Sequence, residues 1–201
     1  QRLNSITFLP SPTQTPLAIG YQTTPVVNTQ QGPFCDSSLE YIYLDRELVY
    51  KNSDNEDFYP DEEDEGIFYY EEHNKVESVS VTIGEQVRTI PDFMFSCLNI
   101  HSLTIPGTVA TIGNDVFNGC ENLTSITFEP SLTGEALTLG YNTENEEDGP
   151  FLDSPLTSVN LNREIVYTLA NIDLDYDDEG IFSGRPLTDG IVIGEQVRTL
   201  Y

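Results

Sequence analysis

One short apolar phrase returns along the whole chain and constrains its fold more than any other feature. It consists of an apolar residue, two residues of any kind, a second apolar residue, one residue and a third apolar residue. The last two apolar positions alternate with polar residues, which is the period of a half-buried β-strand. Seven copies occur, the last with one extra residue: Leu3/Ile6/Phe8, Leu39/Ile42/Leu44, Val76/Val79/Val81, Ile100/Leu103/Ile105, Leu123/Ile126/Phe128, Leu156/Val159/Leu161 and Leu187/Ile191/Ile193.

The spacing of these copies predicts a solenoid. Their last members stand 36, 37, 24, 23, 33 and 32 residues apart. The two short spacings fall within the range of about 20–29 residues that leucine-rich repeats use, and the long ones require an insertion in the turn. We therefore expect a mostly β leucine-rich-repeat solenoid. One parallel sheet of about seven strands would form one side, with irregular or short-strand segments and loops on the other.

The chain also contains a larger duplication, in which residues 1–82 and 123–201 are two copies of one unit. SITF recurs from Ser5 and Ser125, and IGEQVRT recurs from Ile83 and Ile193. The turns then follow the order long, long, short, short, long, long. We expect residues 1–201 to form a single solenoid domain, because stacked turns contact only their neighbours.

Each turn carries one phenylalanine shortly before the next apolar phrase, and we expect stacked turns to place these rings in a file. The residues are Phe34, Phe68, Phe95, Phe117, Phe151 and Phe182. Cys97 and Cys120 occupy equivalent positions in neighbouring turns, which favours buried thiols that act as small apolar groups. A disulfide between them is the alternative.

The segment 105–128, IPGTVATIGNDVFNGCENLTSITF, resembles the BspA-like leucine-rich repeat of bacteria, whose pattern is I-P-x-x-V-x-x-I-G-x-x-x-F-x-x-C-x-x-L-x-x-I-x-I. The match has no gaps, and related variants cover essentially the whole chain. The resemblance implies a right-handed solenoid in an exported or surface-anchored protein, used in adhesion to host or neighbouring-cell components. It brings no catalytic residues. We expect a secreted or cell-surface protein whose leader is absent from this chain.

Charge excludes several classes of partner. The chain has 34 Asp plus Glu and only eight Lys plus Arg, a formal net charge of −26. Nucleic acids and anionic membrane surfaces require basic residues, so we expect neither as a partner. No apolar run is long enough to insert into a membrane. Half of the acids lie in three stretches, residues 54–65, 144–148 and 173–179, which we expect to be solvated loops.

The outward positions of the predicted sheet are uncharged, in contrast to the rest of the chain. Hydroxyl groups suit hydrogen bonding, and tyrosine rings suit stacking on a sugar or packing on a protein. We therefore consider this face a candidate ligand-binding surface, with the alternative that these residue types simply suit a solvated strand. The candidate residues are Tyr41, Tyr43, Ser78, Ser80, Ser102, Thr104, Ser125, Thr127, Ser158 and Asn160.

Metal and catalytic sites find little support in the sequence. Asp173, Asp175 and Asp177 have the rhythm of a calcium loop, but the glycine and the final glutamate of an EF-hand are missing. They remain weak calcium candidates beside the alternative of a solvated charge run. The two histidines lack the context of a zinc ligand or a catalytic base. We expect no cofactor and no enzymatic activity.

Two functions remain open on the sequence. The first is a surface or secreted binding module that contacts a protein or glycan on host or neighbouring cells through the sheet face. The second is a structural spacer in a larger surface protein, with or without calcium bound by the acidic loops.

Overall fold

The structure is a computed structural model. It describes residues 3–20, 22–23, 30–35, 37–51, 66–68, 77–141, 150–151, 153–169, 181–182 and 184–199. Within these ranges the regular structure consists of short strands: β1 (Ser5–Phe8), β2 (Leu17–Gly20), β3 (Gln22–Thr23), β4 (Gln30–Gln31), β5 (Tyr41–Leu44), β6 (Leu48–Lys51), β7 (Ser80–Ile83), β8 (Thr89–Ile90), β9 (Ser102–Ile105), β10 (Thr111–Ile112), β11 (Ser125–Phe128), β12 (Leu137–Tyr141), β13 (Ser158–Arg163), β14 (Ile165–Leu169) and β15 (Gly190–Gln196).

The apolar phrases form two parallel sheets on one side of the solenoid. An N-terminal ladder has the order β1-β5-β7, and a C-terminal ladder has the order β15-β13-β11-β9. Pairing is in register: Ile6 lies opposite Ile42, and Leu103 lies opposite Ile126. The parallel stacking that the repeat predicted is therefore confirmed, and we number the turns 1 to 7 by their ladder strands. We call the outward side of both ladders the sheet face.

The predicted single sheet is divided between turns 3 and 4. There the backbone amide of Val79 donates to the carbonyl of Asn99 at 2.8 Å, before β7 or β9 begins. The distance along the chain from Ile83 to Ile105 is 22 residues, one fewer than the 23 from Ile105 to Phe128. Because this turn is shorter by one residue, the backbone reaches the next strand out of register with its neighbour.

The register predicted for the third phrase was wrong by two residues. Val81, not Val79, lies opposite Ile42, and Ile83, not Val81, lies opposite Leu44. The alternating part of the phrase has two apolar positions, but here three residues alternate, Val79, Val81 and Ile83. The sequence pattern therefore fits either register. The strand pairing decides between them: Ile83, which is 7% exposed, takes the core position opposite Leu44, while Val79, which is 5% exposed, lies before the strand.

The opposite side of the solenoid is more regular than expected. Four strands that follow the ladder strands form a second parallel sheet in the order β14-β12-β10-β8, and β2 pairs with β6 in the same manner. In the described residues the antiparallel pairing is that of β3 with β4. Turns 1 to 6 thus each contribute one strand to each side, and the apolar side chains fill the space between them.

The phenylalanine file is confirmed. Neighbouring rings stack along the solenoid from Phe34 to Phe182, with centroid distances of 5.8, 6.4, 6.5, 5.1 and 5.5 Å. The turns pack so closely that a Cβ at Gly107 would stand 2.0 Å from the carbonyl oxygen of Pro130. The core is therefore one continuous apolar column rather than a set of separate clusters.

The last strand differs from the others. Ile191 and Ile193 were predicted to be core residues, yet they are 42% and 45% exposed. β15 pairs with β13 on one edge, and in the described chain no strand covers its other edge. A solenoid residue is buried by the turns on both sides of it, so the same apolar phrase is only half covered here.

Candidate functional site

The central strand of the N-terminal ladder presents two tyrosines on the sheet face. Tyr41 and Tyr43 lie on β5, and they are 59% and 37% exposed. Ile42 and Leu44 alternate with them and are each 1% exposed. The buried pair fixes the strand from behind, so the two rings stand on the same outward side of a rigid element.

Small hydroxyl residues flank the tyrosines on both neighbouring strands. Ser5 lies opposite Tyr41 and Thr7 lies opposite Tyr43 on β1. On the other side, Ser80 and Thr82 occupy the equivalent positions of β7. Ser78 was predicted as the partner of Ser80, but it lies before the strand, with its hydroxyl 3.4 Å from Nδ1 of His101. Thr82 replaces it on the sheet face.

The C-terminal ladder continues the hydroxyl strip. Ser102 and Thr104 are exposed on β9, and they are paired with Ser125 and Thr127, which are half-buried on β11. Ser158 and Asn160 follow on β13, also half-buried. The amide nitrogen of Asn160 donates to the hydroxyl of Thr127 at 3.2 Å, so part of the hydrogen-bonding capacity of this ladder is already used.

The margins of the N-terminal ladder carry negative charge. Asp45 directly follows β5, and its Oδ2 accepts a hydrogen bond from the Tyr43 hydroxyl at 3.2 Å. The negative charge of Asp45 raises the pKa of Tyr43. The other carboxylate oxygen of Asp45 accepts from the backbone amide of Gln86 at 2.9 Å, which joins turn 2 to turn 3. Tyrosine and aspartate thus form part of one fixed local network.

A buried arginine lies away from the sheet face and was missed by sequence reasoning. Arg163 is 1% exposed. Its guanidinium group donates to three carbonyls of turn 4, at 2.6 Å to Val109, 3.2 Å to Pro106 and 3.5 Å to Gly107. Burial lowers its pKa to about 10, although the charge of Glu129 acts in the opposite direction. The group remains protonated at neutral pH and connects turn 6 to turn 4.

Two glutamines form equivalent links in the two halves of the chain. Oε1 of Gln86 accepts from the amide of Ser11 at 2.8 Å, and Oε1 of Gln196 accepts from the amide of Ser131 at the same distance. Each glutamine belongs to the repeated IGEQVRT motif and reaches two turns back. The duplicated motif was visible in the sequence, but nothing in its spacing indicated that a glutamine spans an intervening turn.

Neither a metal centre nor a disulfide is present in the described part of the chain. Asp173, Asp175 and Asp177 fall outside the described residues, and the described residues contain no group of His, Cys, Asp and Glu that could hold a metal ion. Cys35, Cys97 and Cys120 form no disulfide. Cys120 is fully buried and burial raises its pKa, which suppresses the reactive thiolate, while Cys97 is half-buried.

Comparison with known families assigns the repeat. Residues 66–167, half of the chain, match the BspA type Leucine rich repeat region in six copies. The chain belongs to the BspA-type leucine-rich repeat family. No curated protein and no solved structure matches it. The family match confirms the resemblance seen in the segment 105–128.

Membership of the BspA-type family carries general consequences. Leucine-rich repeats are commonly protein-interaction modules, and BspA-type repeats are generally non-catalytic. Proteins of this type are typically located at the surface or secreted. Among the residues that the structure describes, no helix is long and apolar enough to cross a membrane.

Proposed function

We propose that this BspA-type repeat chain is a non-catalytic binding module at the cell surface or in the secreted fraction. It recognises a protein or glycan on host or neighbouring cells through the sheet face, and it mediates adhesion. One observation carries the proposal: in a chain with a net charge of −26, the sheet face is an uncharged strip of hydroxyl groups with two exposed tyrosines on the central strand of its N-terminal ladder.

The tyrosines give this face its capacity to bind. A tyrosine side chain offers a large apolar ring and a hydroxyl group with few rotatable bonds, so ordering it on binding costs little entropy. Tyr41 is held by the buried Ile42 beside it. A rigid aromatic pair on a solenoid surface is the arrangement in which a few residues supply most of the binding energy.

The test is an array of purified matrix proteins and glycans probed with the chain. A bound component should then lose affinity by about thirtyfold or more with the double variant Tyr41→Ala/Tyr43→Ala, since a residue that dominates binding contributes at least about 2 kcal/mol. Leu132→Ala is the matched control, because Leu132 is 82% exposed but lies outside the ladders. A blank array, or equal loss with both variants, would reject the proposal.

The links that skip a turn favour a second candidate function, a structural spacer. Arg163, Gln86 and Gln196 each join turns that are not neighbours. Such bonds stiffen a solenoid beyond what contacts between neighbouring turns provide. A spacer would show no ligand on the array, and replacing the tyrosines would change nothing.

The spacer hypothesis includes a variant in which the acidic stretches bind calcium through Asp173, Asp175 and Asp177. A ligand that binds only the folded chain raises the melting temperature. Millimolar calcium should then raise it by several degrees, and an unchanged melting temperature would end the calcium variant of the spacer.

A further inference from the structure

The uncharged strip is too small to hold a protein partner by itself. Six intervals of about 4.8 Å between its strands, with about 13 Å for four residues along each strand, give an area on the order of 400 Å². A specific protein interface covers about 800 Å² on each partner. A protein bound to the sheet face must therefore also cover residues along the margins of the ladders.

Those margins are acidic around the tyrosines. Glu40 directly precedes β5, Glu77 precedes β7, and Glu85 follows β7, and all three are exposed. In the described part of the chain none of their carboxylates takes part in a hydrogen bond or an ion pair. The two arginines nearest along the chain donate to backbone carbonyls instead: Nε of Arg46 to Thr15 at 3.0 Å, and the guanidinium group of Arg88 to Thr108 at 3.3 Å.

We infer that the partner of the sheet face is a protein whose contact surface places lysine or arginine side chains around a small apolar centre. The inference rests on the proposed function and names its partner class. The apolar centre would cover Tyr41 and Tyr43, and the basic rim would meet Glu40, Glu77 and Glu85. A carboxylate that a partner covers without a cation loses its hydration and gains nothing in return.

A basic protein fits this face better than an anionic or neutral glycan. Sulfated or carboxylated glycans would approach a chain of net charge −26 against its field. A neutral oligosaccharide would gain nothing from that field. A basic protein is attracted by this field, which raises the association rate, and it forms ion pairs at the rim of the interface.

The experiment is a selection of displayed random peptides on the immobilised chain, with counter-selection on the variant Tyr41→Ala/Tyr43→Ala. Counter-selection retains only peptides that need the tyrosines. Their sequences should be enriched in lysine and arginine, and their affinity should fall about tenfold when salt is raised from 50 to 500 mM, because salt screens exposed charges. Soluble neutral oligosaccharides serve as competitors.

Two variants with the same change in charge separate the margins from the general field of the chain. The margin variant neutralises the three glutamates, and the loop variant neutralises three acids of the stretch 54–65. The substitutions are Glu40→Gln/Glu77→Gln/Glu85→Gln and Asp61→Asn/Glu62→Gln/Glu63→Gln. The margin variant should weaken selected peptides about fivefold or more, and the loop variant less than twofold.

Each outcome bears on the inference. Peptides that need the tyrosines but are neutral or acidic overturn it and leave the proposed function intact, as does competition by a neutral oligosaccharide. Equal effects of the two variants overturn it as well, because the attraction would then come from net charge alone. If no peptide depends on the tyrosines, the inference fails, and the proposed function is decided separately by the array of matrix proteins and glycans.

Discussion

Replacing Arg163 by alanine should destabilise the solenoid by about 2–4 kcal/mol, mainly because the buried carbonyl groups of turn 4 lose their hydrogen-bond donor. Two of its three contacts, at 2.6 and 3.2 Å, are good hydrogen bonds, and the third, at 3.5 Å, counts for little. A hydrogen bond from a charged donor contributes about 1.5–3 kcal/mol, so two give about 3–6 kcal/mol. Removing the buried charge recovers part of this free energy, because the charge is costly to desolvate.

The measurement is urea unfolding followed by the fluorescence of the tyrosines, since the chain has eleven of them and no tryptophan. Arg46→Ala is the matched control, because Arg46 is the equivalent residue in the first unit of the duplication. It is only half-buried and makes one described bond, so its loss should cost about 1 kcal/mol or less. Arg163→Met keeps most of the side-chain volume, so its loss of stability should lie between those of Arg163→Ala and Arg46→Ala.

The pKa of Arg163 determines how its contribution to stability depends on pH. Burial lowers the pKa of Arg163 from its ordinary 12.5 to about 10, so the folded chain disfavours the charged form. The contribution of this group to stability therefore rises only as pH passes through about 10, and the difference between wild type and Arg163→Met should stay constant from pH 5 to 9. A cost of Arg163→Ala no larger than that of Arg46→Ala would refute the role assigned to the arginine.

Two further predictions concern single polar residues. Burial raises the pKa of Asp92, although its Oδ1 accepts the amide of Asn114 at 2.8 Å. Its contribution to stability is therefore greatest at acid pH and is lost as pH rises through its folded pKa, so Asp92→Asn should be more stable than wild type at pH 7 and equal to it at pH 3. The opposite order at pH 7 would contradict this reasoning. Gln86→Leu should cost about 1–3 kcal/mol in urea unfolding, because it leaves the part-buried amide of Ser11 without its acceptor; a cost no greater than that of the exposed change Glu85→Gln would show that the link is not needed.

The apolar side of the fold could be predicted from the sequence because the repeat states it directly. A residue such as Ile126 is buried by the same positions in the turns before and after it, so period alone places it in the core. The prediction was wrong where the pattern allowed two registers, at Val79 and Val81, and at Ile193, whose strand is paired on one side only in the described chain. Both errors come from the number and closure of the turns, which the local pattern does not contain.

The polar links could not be predicted, because they depend on turns that are not neighbours. Gln86 and Ser11 are 75 residues apart, and Arg163 and Val109 are 54 apart. The candidate face was easier, since alternation alone points Tyr41 and Tyr43 outward. The acidic margins of this face could be located only from the ends of the strands in the structure, because a shift of two residues decides whether Ser78 or Thr82 belongs to the face.

The two arginines of the duplicated motif show that position in the stack, rather than sequence, decides the role of a side chain. Arg46 and Arg163 stand in the same phrase, L-x-R-E, in turns 2 and 6. Two turns before Arg163 lie the carbonyls of turn 4, which accept its guanidinium group and bury it. Arg46 instead donates to the carbonyl of Thr15 in the neighbouring turn and is half-buried. The motif supplies the donor, and the carbonyl groups that surround it decide whether it becomes a buried link or a surface contact.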